Sequence, residues 1–145
     1  MYFVDKEKIT VTLNFIENLV LDLESISLYG KLEKYALERI CHLLLEGILD
    51  IGNSLIDAYI MRDPGSFEDI VLILIDEKVI SENCGREIIN LMHWRKMFTQ
   101  DYISINEVEL YSDFIRNKST FTEFVINTNE YLIKNTDVLT TFTNK

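Results

Sequence analysis

Apolar residues recur along this chain at the three-to-four-residue spacing that lays side chains on one face of an α-helix. Ile9, Leu13, Ile16, Val20 and Leu23 mark a first amphipathic helix from Asp5 to about Leu23. The stretch from Ser25 to Gly30 interrupts it, and a much longer periodic segment follows from about Lys31 to Ile60. A third helix opens at Ser66, where Ser66-Phe67-Glu68-Asp69 has the form of a capping box just after the Asp63-Pro64-Gly65 turn. Its run from Ile70 to Ile75 is wholly apolar and rich in β-branched residues, so a buried strand competes there. The upstream cap and the helical neighbours favour helix. Ser81 to about Thr99 forms a fourth element. Asn106-Glu107-Val108-Glu109 caps a last long one, whose apolar stripe runs through Val108, Tyr111, Phe114, Ile115, Phe121, Phe124, Val125 and Leu132. The tail after Lys134, rich in threonine and asparagine, is expected to fray. The pattern predicts an all-α fold, an antiparallel bundle of about four to five helices, in a single domain over residues 1–145.

The second helix carries more than one message. On a wheel of 100° per residue, Arg39, His42, Glu46, Asp50, Asn53 and Asp57 share a polar strip roughly 80° wide. Leu32, Ala36, Ile40, Leu43, Gly47 and Ile51 take one side of the remaining surface, and Leu37, Cys41, Leu45, Leu49, Ile56 and Ile60 another. A surface helix needs one apolar stripe, so this breadth calls for burial on two sides, either centrally in one bundle or against a second protomer. A symmetric homodimer is the expectation. Gly47 and Gly52 each cost about 1 kcal/mol of helix propensity relative to alanine, which the close approach of another helix backbone would explain. His42, Glu46 and Asp50 stand at i, i+4 and i+8, a spacing that can aim one imidazole and two carboxylates the same way. The paired Glu-x-x-His elements of di-iron bundles are missing, and a solvated polar face is the simpler reading, so neither a metal nor another cofactor is expected.

Composition narrows the partners. Apolar residues are 48% of the chain and charged residues 26%, which argues against disorder, and one proline and five glycines leave room for long helices. The formal charge of −10 repels polyanions at long range, whereas general nucleic-acid binders are basic. An RNA contact would need a local patch, for which Arg86, Arg95 and Lys96 are candidates. The opening Met-Tyr-Phe-Val-Asp-Lys-Glu-Lys lacks the order of a secretory signal. No apolar stretch approaches the roughly 20 residues of a membrane span, so no membrane partner is expected. Cys41 and Cys84 are too few and too far apart for a disulfide framework or a zinc site, and free thiols in a reducing cytoplasm are expected.

One octapeptide points to chemistry. Residues 95–102, Arg-Lys-Met-Phe-Thr-Gln-Asp-Tyr, resemble the R-x4-H-x-Y motif of the HepT family, ribonuclease toxins of the HEPN superfamily. Arg95 and Tyr102 are in place, and Gln100 stands where that motif has histidine. Asp50-Ile51-Gly52-Asn53 and Arg62-Asp63-Pro64-Gly65-Ser66-Phe67 also look like family segments, in the right order. The resemblance implies a dimeric antiparallel bundle whose arginine and histidine cleave RNA without metal at the subunit interface. It also implies a nucleotidyltransferase antitoxin as partner, attaching AMP to Tyr102. The carried-over catalytic positions are Arg95, Gln100 and Tyr102, with Asp50 and Asn53 as supporting polar residues.

The substitution has a chemical consequence. Cleavage through the 2′-hydroxyl needs a base for the attacking proton and donors for the charge that develops on phosphate. Arg95 supplies a permanent bidentate cation. Gln100 is uncharged at every relevant pH, and losing a general base typically costs about 10²–10⁴ in rate. Its amide still offers hydrogen bonds to a phosphate or base edge. The expected protein is therefore a weakened or inactive ribonuclease toxin, with a non-catalytic helical dimer acting as an interaction protein as the alternative.

Geometry adds that in an unbroken helix Arg95 and Tyr102 share a face while Gln100 lies about 140° from Arg95. Either the helix loosens after Phe98 or the site draws on two subunits. His93 shares a face with Gln100 but sits about 10 Å along the axis, and a packing role beside Trp94 is the simpler one. The plain structural alternative for Arg95 and Tyr102 is an exposed helix terminus, where a cation favours the dipole and the tyrosine packs.

Overall fold

The computed structural model describes residues 6–135, so the tail expected to fray lies, beyond Asn135, outside the described residues. Seven α-helices follow in order: α1 (Lys6–Ser25), α2 (Lys31–Ala58), α3 (Phe67–Asp76), α4 (Glu82–Leu91), α5 (His93–Thr99), α6 (Glu107–Arg116) and α7 (Lys118–Lys134). A single 3₁₀ turn, Tyr102–Ser104, joins α5 to α6. The fold is all-α and, among the described residues, holds no strand; the ambiguous run Ile70–Ile75 is helical.

The helix count exceeds the four to five expected because two periodic segments each break once. The segment from Ser81 to Thr99 kinks at Met92, whose N–H donates to Ile89 O and whose carbonyl accepts from Arg95 N, both 3.0 Å i+3 bonds that tighten the chain locally. The last segment breaks at Asn117, whose side-chain amide donates to Asp113 O at 2.7 Å while its backbone N–H turns to Phe114 O at 3.2 Å. Neither break has a proline or glycine to announce it.

Three of the starts are set by side chains foreseen from sequence or of the same kind. Ser66, Ser81 and Asn106 each accept a hydrogen bond from the amide three residues on, at 3.0, 3.1 and 3.1 Å. At Ser66 only half of the capping box forms. The Asp69 carboxylate accepts instead from both Nη groups of Arg62, at 2.7 and 2.8 Å, and from Gly65 N at 2.9 Å. Those bonds, the Arg62 pair first, hold its carboxyl down at about 2. They also clip the turn between α2 and α3.

Helix α2 runs through the centre of the bundle, packed on α1, α3, α5 and α6. This central placement accounts for most of its apolar breadth. Leu37, Cys41, Leu45, Leu49 and Ile56 are buried on one side, and Gly47 and Ile51 on the other. Leu32 and Ile60 remain exposed. At Gly52 an added Cβ would stand 2.6 Å from Ile70 Cγ2 of α3, and at Gly47 3.2 Å from Ile16 Cγ1 of α1. Neighbouring helices do approach there, through side chains rather than backbone. Both cysteines are free and buried, and burial pushes the Cys84 thiol up to about 12. No helix of the described residues is long and apolar enough to cross a membrane.

Candidate functional site

Arg95 projects from the middle of α5 into a corner made by α2 and α3. Its Nε donates to Glu46 Oε1 at 2.6 Å, and its guanidinium carbon lies 3.9 Å from the centre of the Phe67 ring. A planar cation stacked on an aromatic face and tied through Nε is fixed in direction. Its two Nη groups make no hydrogen bond with the described residues, and the side chain is 25% exposed. The end of the guanidinium that suits a phosphate is therefore the end left free.

The same Glu46 oxygen is 3.3 Å from His42 Nε2, one helical turn earlier on α2. The His42 ring rests on Phe98 at 5.3 Å between centroids, and Phe98 stacks on Trp94 at 6.4 Å. Trp94 is buried and donates Nε1–H to Asp113 Oδ2 of α6 at 2.9 Å. This chain of contacts makes α5 a rigid shelf against α2. Beyond it a shallow groove is lined by Tyr35, Glu38, Arg39, His42 and Phe98. Burial, and then Glu107, push the Glu38 carboxyl up.

After Thr99 the helix stops. Gln100 N and Asp101 N both turn to Lys96 O, at 2.8 and 3.3 Å, and the 3₁₀ turn begins at Tyr102. The helix thus ends at Thr99, close to where one of the two alternatives drawn from the sequence has it loosen. Gln100, Asp101 and Tyr102 are exposed, Tyr102 to 61%. Among the described residues no hydrogen bond or ring contact joins Gln100 or Tyr102 to Arg95.

The other candidates fall elsewhere. Asp50 and Asn53 are exposed on α2 and face Lys8 and Thr12 of α1 across a second groove, so the carboxylate that meets Arg95 is Glu46 and not Asp50. Arg86 pairs with Glu82 at 3.8 Å within α4, and Lys96 points to solvent, so the cations named from sequence are not shown gathered around Arg95. His93 Nδ1 meets Asn90 O at 3.0 Å and its ring lies 5.1 Å from Trp94, a packing role at the α4–α5 junction. Among the described residues no three His, Cys, Asp or Glu side chains form a group able to hold a metal.

The family model described as Ribonuclease HepT-like matches residues 9–127. The chain belongs to the HepT-like family. Within it, YutE of Bacillus subtilis (strain 168), a protein named for a proposed RNase activity, is 43% identical over 133 residues, covering 91% of this chain and 92% of YutE. The YutE structure, of a protein described as cytosolic and of unknown function, matches with a TM-score of 0.88 at 41% identity, over 93% of this chain and 95% of that one. A tri-AMPylated HEPN toxin of Shewanella oneidensis in complex with its MNT antitoxin matches at 0.74 and 14% identity, over 84% and 96% of the two chains. At that identity the likeness is one of fold. A crystal structure of a toxin–antitoxin with AMP-PNP matches similarly, at 0.71 and 13%, over 83% and 96%.

In this HepT-like chain, sequence reasoning found Arg95 but missed what holds it. Glu46 stood in the polar strip of α2 and Phe67 closed the Arg62–Phe67 segment, yet neither carries a local signal of meeting Arg95, 49 and 28 positions away. The i, i+4 spacing of His42 and Glu46 was legible, and their contact follows from it.

Proposed function

We propose that this HepT-like protein is a toxin-type ribonuclease that binds RNA phosphate at Arg95 and cleaves without metal, slowly because Gln100 replaces the family's histidine. The observation that carries this reading is the free Nη edge of Arg95, held in place by Glu46 and Phe67 at a partly exposed corner. A phosphate there would receive two parallel N–H donors, the arrangement that stabilises charge in an in-line displacement. Gln100 adds a neutral donor and takes no proton.

The same reading makes the protein a cytoplasmic homodimer with a nucleotidyltransferase antitoxin. A second copy would cover the exposed Leu32 at the start of α2. Attachment of AMP requires an accessible phenol whose oxygen attacks the α-phosphorus of ATP and releases pyrophosphate, and Tyr102 has the exposure for it. The AMPylated state and MNT partner of the Shewanella oneidensis toxin of like fold support this part.

Total RNA incubated with the purified protein and a chelator tests the proposal. Fragmentation by the wild type that Arg95→Ala abolishes is the expected result. A second reading, a non-catalytic interaction protein, is favoured by the net charge of −10 and by the hold of Glu46 on Arg95. It predicts that wild type and Arg95→Ala are equally inert.

A further inference from the structure

We propose that His42 is the acid–base group of RNA cleavage in this chain, with Glu46 as its positioning residue and the adjoining groove as the seat of the nucleotide whose 2′-hydroxyl attacks. The inference rests on the ribonuclease reading above and supplies the proton acceptor that Gln100 cannot be.

The geometry is that of a shared carboxylate. Glu46 Oε1 accepts from Arg95 Nε at 2.6 Å and stands 3.3 Å from His42 Nε2, so one oxygen sets guanidinium and imidazole side by side. A carboxylate at Nε2 favours the tautomer with its proton there, which leaves Nδ1 with a free lone pair. The chain has two histidines, and His93 spends Nδ1 on the Asn90 carbonyl. Among the described residues His42 makes no such bond, and its side chain is 22% exposed.

The surroundings fit a ribonucleotide. Tyr35, Arg39, His42 and Glu46 fall within about 60° of one another on α2, a single face that leads from the Arg95 corner into the groove. Tyr35 offers an exposed aromatic face for a base, and Arg39 a cation for a neighbouring phosphate. Phe98 touches the His42 ring itself and holds it at the groove wall.

The step balances without a further reactant. His42 Nδ1 takes the proton of the 2′-hydroxyl, the 2′-oxygen bonds to phosphorus, and the bond from phosphorus to the 5′-oxygen breaks. The charge that builds on the phosphoryl oxygens meets the Nη groups of Arg95, and the imidazolium returns its proton to the departing 5′-oxygen. The products are a 2′,3′-cyclic phosphate and a 5′-hydroxyl.

Cleavage of total RNA by the full-length protein, as wild type, His42→Ala, His42→Gln and Glu46→Gln, each with and without added imidazole, decides the matter. Thermal melting establishes that each variant is folded. The expected result is a loss of about 10²-fold or more in His42→Ala, recovered in part by imidazole, which enters the vacated space. His42→Gln is equally slow and is not rescued, and Glu46→Gln is slowed without response to imidazole. Wild-type rates in both His42 variants would overturn the inference and leave the ribonuclease reading standing. Loss in a folded His42→Ala that imidazole does not restore would assign His42 a structural role and overturn it too. A silent wild type would remove the ribonuclease reading, and this inference with it.

Discussion

A guanidinium stacked on Phe67 and tied through Nε to Glu46 is fixed in direction, and on the proposed reading this fixity suits Arg95 to hold a phosphate. The second arginine pair has a structural use and a pH signature. Asp69, held at about 2 by Arg62 and Gly65 N, lies below the ordinary carboxylate value of about 3.9. Because the folded value is depressed, the stabilisation is complete above about pH 4 and is lost as the pH falls toward 2. Denaturant melts of wild type and Arg62→Ala should therefore differ at pH 6 and converge near pH 2; a gap that persists in acid would contradict this origin. Ile60 makes a separate case. A β-branched residue at φ 52° ends α2 in the left-handed region, at a cost of about 1–2 kcal/mol. Ile60→Gly relieves that strain against a smaller loss of chain entropy, and should raise the melting temperature by a few degrees.

The elements show which parts of the fold the sequence carries locally. Each of the five periodic segments is helical, because a 3.6-residue stripe reports one buried face and the caps at Ser66, Ser81 and Asn106 are short-range signals. The breaks at Met92 and Asn117 were not legible. The kink at Met92 is accompanied by the burial of Trp94 against α6 and its bond to Asp113, a contact across 19 positions that periodicity does not encode. Asp113→Ala should leave the buried indole N–H unpaired and cost about 1–3 kcal/mol, with a matching fall in cleavage as α5 loosens on α2. Urea melts and RNA digestion on the same variant check both halves. Helix contact at Gly52 is more rigid: the added Cβ of Gly52→Ala meets Ile70, and overpacking of about 1–3 kcal/mol outweighs the gain of about 1 kcal/mol in helix propensity. A net fall in melting temperature is expected, and a rise would show that α3 yields easily.

At the scale of the whole molecule, an acidic chain surrounds the corner that holds Arg95. A charge of −10 discourages indiscriminate RNA binding, so on the proposed reading engagement depends on single cations such as Arg95 of α5. The motif near the end of α5 announced Arg95, Gln100 and Tyr102 and the family. The positions of Glu46, Phe67 and His42 about the guanidinium emerged only when three helices were packed, since no spacing along one chain specifies a meeting of helices. The proposed homodimer belongs to this scale as well: sedimentation equilibrium should give twice the 17.0 kDa chain mass, and Leu32→Glu should shift it toward monomer. The most direct test of the account is the rate of RNA cleavage by Gln100→His relative to wild type. If Arg95 marks the family's cleavage site, a histidine at position 100 should raise the rate about 10²-fold, and Arg95→Ala in that background should abolish the gain. A Gln100→His protein no faster than wild type, folded and dimeric, would contradict it.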